Sequence, residues 1–94
     1  MIILRIEHRV SSYEGWKKAF DSDPINRKQS GVTRYRITRP RDDDNFVSID
    51  LEFDNLEQAS KTQVALTAIF KELDGKLTFG PQTRILNVVE ETQL

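Results

Sequence analysis

Residues Phe46 to Phe53 alternate without a break: Val47, Ile49, Leu51 and Phe53 are apolar, and Ser48, Asp50 and Glu52 between them are polar or charged. Successive side chains of a strand point to opposite faces, so this segment is a strand with one face fit for a core and one carrying carboxylates. The same period of two runs through Ile2 to Val10. There Ile2, Leu4, Ile6, His8 and Val10 share one face, and Ile3, Arg5, Glu7 and Arg9 share the other. It returns from Val32 to Pro40, with Tyr35 and Ile37 opposed to Arg34 and Arg36, and again from Thr83 to Glu90. The polar turn Arg41–Asn45 is short enough to make the second and third strands an antiparallel hairpin.

Two helices separate these strands. Ser11 stands three residues before Glu14, the spacing of a capping box, and Trp16, Ala19 and Phe20 follow on one stripe. Asp23-Pro24 interrupts that helix, because a residue before proline avoids helical angles. Pro24 then suits the first position of a short second piece capped by Asp23, with Gly31 as its left-handed terminator. Asn55, with Gln58 at the reciprocal position, caps the next helix, on which Leu56, Ala59, Leu66, Phe70 and Leu73 form one stripe with Ile69 beside it. Asp74-Gly75 ends it, and Gly80-Pro81 reads as a loop before the last strand.

The order β-α-β-β-α-β forms two interlocked β-α-β units, whose right-handed crossovers place both helices on one face of a four-stranded antiparallel sheet. This is the α+β ferredoxin-like sandwich, with the first and third strands central and one domain spanning residues 1–94. A domain of 94 residues buries only roughly 60–65% of the surface of its unfolded chain. Cover from a second subunit is therefore expected.

The other sheet face collects Ile3, Arg5, Glu7, Arg9, Arg34, Arg36, Ser48, Asp50 and Glu52. Opposite charges paired across strands make it a self-neutralising ladder rather than an anion site. The fourth strand is apolar on both sides, with Ile85 and Val89 expected beside Ile3 and with Leu86 and Val88 on the core side. A second copy of the same sheet would cover them, so a homodimer is expected.

With 14 basic and 15 acidic residues the formal net charge is −1, which argues against nucleic acid and membrane surfaces as partners. The absence of cysteine removes disulfides and thiolate chemistry, and a single histidine builds no His-rich metal site. Met1 to Ile6 is apolar only until Arg5 and does not read as a leader, so a cytoplasmic location is expected. Gly31, Gly75 and Gly80 are too dispersed to cradle phosphate, and Asp42, Asp43 and Asp44 match no calcium loop.

His8-Arg9-Val10, then Tyr13, Trp16 and Phe20, then Gly31-Val32-Thr33-Arg34-Tyr35-Arg36 and Asp50-Leu51-Glu52-Phe53 resemble the dimeric α/β-barrel superfamily. The likeness is to its small members near the antibiotic-biosynthesis monooxygenases and polyketide-cyclase-like proteins. It spans nearly the whole chain and rests on strand patterning. It implies two sheets packed face to face, with any ligand cleft between helices and sheet. Monooxygenases of that group use a constellation of Asn, Trp and His. Here Trp16 lies in the first helix and no asparagine aligns with theirs, so the resemblance carries over the fold and not the oxygenase chemistry.

His8 is the candidate catalytic residue. It sits on the apolar face late in the first strand, and its reference pKa near 6.5 suits a general acid or base. Its other reading is a core histidine bonded to a backbone carbonyl or to Tyr13. Tyr13, Trp16 and Phe70 are the candidate ligand-binding residues around it, against a reading as plain core aromatics. No cofactor or metal is expected. Two function classes follow: a small dimeric α/β-barrel protein binding a small apolar or aromatic molecule, or a cofactor-independent monooxygenase- or cyclase-like enzyme. A cavity beside His8 would separate a ligand site from a filled core.

Overall fold

The central strands β1 (Ile2–Val10) and β3 (Phe46–Phe53) run antiparallel, in a register that sets Leu4 opposite Leu51, Ile6 opposite Ile49 and His8 opposite Val47. Each side's apolar alternation thereby lands on the same face, which is what fixes the register. The structure, a computed structural model, describes residues 1–94. Strand β2 (Val32–Thr38) flanks β3, and β4 (Thr78–Asn87) flanks β1, giving the order β2-β3-β1-β4. Helices α1 (Tyr13–Asp21), the short α2 (Arg27–Ser30) and α3 (Leu56–Leu73) complete the chain. The fold is the expected ferredoxin-like α+β sandwich.

Leu4, Ile6, Val10, Val47, Ile49, Leu51 and Phe53 are buried beneath Trp16 of α1 and Ala59 and Leu66 of α3, with Phe20 and Phe70 packed against them. Leu56, expected on the inner stripe of α3, is 56% exposed, while Thr62 is buried on the inward side with Ala59 and Leu66. No helix is long and apolar enough to cross a membrane.

Three local expectations are corrected. The first helix is capped by Ser12, whose hydroxyl accepts from the Gly15 amide, rather than by Ser11. Ser11 donates its backbone N–H to the Leu77 carbonyl, so it still belongs to the sheet side of the turn. Asn26, not Asp23, is the N-cap of α2, and both sit at positive φ; the Asp23 carboxylate instead accepts from the Arg27 amide. Asn55 caps α3 as expected, accepting from the Gln58 amide, but Gln58 does not reciprocate. Its Oε1 is buried without a partner beside Gly31, which sits at φ 101°.

The largest correction concerns β4, which begins five residues earlier than the alternation suggested. Gly80 and Pro81 lie inside it as a bulge: Glu7 pairs with Gln82 and Arg9 with Phe79, so the two residues face His8 alone. An edge strand tolerates both, glycine for its positive φ of 60° and proline for its missing donor. The register also exchanges faces. Ile3 pairs with Leu86 and Leu4 with Ile85, so Leu86 joins the charged face while Ile85 packs on the core. Val89 lies beyond the strand and is 93% exposed.

On the charged face the ladder has two rungs. Arg5 grips Asp50 through two bonds of 2.8 and 2.9 Å, and Arg34 donates to Glu52 at 3.0 Å. Arg36, aligned with Asp50 in register, forms no ion pair because Arg5 occupies that carboxylate. Asp43 ties the turn to β1. It receives two bonds from Arg9 and one from the Asn45 amide, and the Arg9 bonds chiefly hold its carboxyl below the usual range.

Candidate functional site

Between the helices and the inner sheet face lies a cavity of about 70 Å³, partly open to solvent. An apolar cavity of about 150 Å³ holds one benzene, so the enclosed space here takes part of a ring, and a larger molecule would extend through the open side. Eleven of its 15 lining residues are hydrophobic, among them Ile6, Trp16, Ile49, Leu66 and Phe70. The cavity exists because α1 stops at Asp21 and the chain turns through Pro24 and Ile25, leaving the inner sheet uncovered beside α3.

His8 stands on its wall and is only 2% exposed. Its ring meets Trp16 and Phe70 edge-on, with centroids 5.8 and 5.5 Å away. Nδ1 lies 3.1 Å from the Arg9 carbonyl oxygen. A carbonyl can only accept, so Nδ1 carries the proton. Burial pushes the imidazole pKa below its ordinary value, and the Arg9 carbonyl offsets this in part. The ring is therefore neutral near pH 7, with its second nitrogen, Nε2, unprotonated. No protein group hydrogen-bonds Nε2, and it is not among the sealed unpartnered atoms, which are Gln58 Oε1 and Thr78 Oγ1.

His8, Trp16 and Phe70 thus come together as the sequence suggested, with a cavity beside them. Tyr13 does not line it. Its ring lies behind Trp16, 5.8 Å away, and beneath the Arg39 guanidinium at 4.3 Å. Two lining residues escaped sequence reasoning. Arg27 sits at the cavity wall, its guanidinium 4.0 Å from the Phe20 centroid and 5.0 Å from that of Tyr35, and it donates to the Phe20 carbonyl at 2.7 Å. Thr78 is fully buried, and its hydroxyl has no partner. Arg27 carried no signal, since one arginine in a short helix is unremarkable. Thr78 was hidden by the misplaced start of the last strand.

Comparison with solved structures recovers this fold. A dimeric ferredoxin-like protein from an uncultured marine organism is 20% identical, with a TM-score of 0.70 and full coverage of both chains. SnoaB, a cofactor-independent oxygenase from Streptomyces nogalater, is 10% identical with a TM-score of 0.72, covering 96% of this chain and 94% of that one. A candidate antibiotic biosynthesis monooxygenase from Deinococcus radiodurans is 16% identical with a TM-score of 0.71, covering 100% and 98%. At these identities the likeness is one of fold. No protein-family model and no curated protein matches the chain.

Proposed function

We propose that this one-domain chain binds a small apolar or aromatic molecule in the cavity beside His8, and that it does so as a homodimer. The observation that carries the binding reading is an apolar cavity with one buried, half-satisfied imidazole on its wall. Ligand sites are largely apolar with a few orienting polar groups, which is this composition. The dimer reading rests on the half-exposed strip of Ile3 and Leu86 between charged rungs, and on a dimeric neighbour of the same fold.

An enzyme related in chemistry to the cofactor-independent oxygenase is the second reading, favoured by the shared fold and by a histidine in an aromatic cavity. Binding is preferred for a specific reason. Nδ1 of His8 donates to a neutral carbonyl and not to a carboxylate, so an imidazolium that had taken a proton has no counter-charge on that nitrogen, and the carbonyl offsets only part of the cost of burial. Trp16 is the only tryptophan and lies on the cavity wall, so its fluorescence reports occupancy. Titration with one- and two-ring aromatic compounds, checked by calorimetry, should give saturable binding that Trp16→Ala weakens. If no such compound produced heat or a fluorescence change, the cavity reading would fail.

A further inference from the structure

We infer that His8 acts as a hydrogen-bond acceptor within this cavity, and that it selects apolar molecules presenting a single O–H or N–H group to Nε2. The inference rests on the binding reading above and adds the chemical class of the ligand. It follows from one backbone contact. Free histidine can place its proton on either ring nitrogen, but the Arg9 carbonyl, 3.1 Å from Nδ1, takes only a donor. The proton is thereby held on the nitrogen facing the strand, and the lone pair is left on Nε2.

The alternation of β1 turns the His8 side chain inward, and the bulge at Gly80–Pro81 passes opposite His8 without pairing to it. The ring edges of Trp16 and Phe70 hold its plane. An acceptor so enclosed discriminates sharply. A ligand without a donor takes the place of any water at Nε2 and leaves the nitrogen bare, which costs more than an ordinary hydrogen bond contributes. An ether or carbonyl at that position meets a lone pair with a lone pair. Arg27 is the only other ionisable group on the wall, and its guanidinium is engaged with the Phe20 carbonyl, the Phe20 ring and Asp23. A neutral hydroxylated or N–H-bearing ring system is the class that fits.

Two measurements on the unaltered protein test this. In ¹⁵N-histidine-labelled protein at pH 7.5 the single imidazole should show the Nδ1–H tautomer, with Nε2 bare. The Nε2–H tautomer would overturn the inference. Calorimetry with 2-naphthol, 2-methoxynaphthalene and naphthalene should then show the naphthol binding about tenfold tighter than its methyl ether. In His8→Ala that preference should vanish. Equal affinities for the naphthol and the ether would overturn acceptor selection while leaving the cavity reading intact. Failure of all three to bind would overturn both.

Discussion

Thr78 and Thr62 are both buried on the inner side of the fold, yet replacing each by valine should move stability in opposite directions. Thr78 is fully buried and its Oγ1 has no hydrogen-bond partner. Thr62 is 3% exposed, and its Oγ1 donates to the Gln58 carbonyl at 2.9 Å. Valine keeps the β-branched shape, so packing and the side-chain rotamer are nearly unchanged and the hydroxyl is isolated as the variable. A buried polar group left unpaired costs about 1–3 kcal/mol, and Thr78→Val should recover most of it. In a domain of this size 1 kcal/mol moves the midpoint by roughly 4–8 °C, so Tm should rise by at least about 4 °C. Thr62→Val loses a net bond instead and should cost roughly 0.5–1 kcal/mol, since the Gln58 carbonyl keeps its helical partner. Urea unfolding with an unchanged m-value, at one fixed protein concentration, gives both numbers. A fall in stability for Thr78→Val would refute the reasoning, because it would mean that the hydroxyl is satisfied by a buried water.

Three further outcomes follow from the same structure. The His8 pKa is lowered on folding, so just below pH 6.5 the unfolded chain binds more protons than the folded one. Stability should be fully present well above 6.5 and decline as pH falls from there towards the depressed folded pKa, and His8→Gln should remove the slope that sets in below about pH 6.5. Leu86→Asp, on the open sheet face, should shift sedimentation from dimer towards monomer of about 11 kDa, while Ile85→Asp should unfold the subunit because Ile85 packs on the core. Gly31→Ala should cost at least about 1–2 kcal/mol in a thermal melt, because φ is 101° there and a Cβ would lie 2.5 Å from Gln58 Cδ.

The sheet was legible wherever alternation was bounded on both sides. Phe46–Phe53 ends in a polar turn at one side and a cap at the other, and Ile2–Val10 ends at a serine pair, so their faces could be assigned from residues alone. The last strand had no such boundary. Its apolar residues read equally well in either register, and only pairing with β1 decides that Leu86 faces outward and Ile85 inward. Gly80-Pro81 is a turn signal by composition, and only the edge position of β4 turns it into a bulge. Capping-box spacing points to Ser11 as the cap of α1, but the Ser11 N–H goes to the carbonyl of Leu77, distant in sequence, and Ser12 caps instead. His8, Trp16 and Phe70 were readable as neighbours because strand and helix periods place them inward. Tyr13 shares that segment but packs against Trp16 outside the cavity lining, and the Nδ1 contact that sets the character of His8 is a backbone geometry that no residue type encodes.

The central claim, that the space beside His8 is a ligand site, is tested most directly by a crystal structure of the protein grown with 2-naphthol. The ring system should lie between Trp16 and Phe70, with its oxygen within about 3.2 Å of His8 Nε2. A cavity closed by side chains, or naphthol bound only on the Arg5–Asp50 face of the sheet, would contradict it.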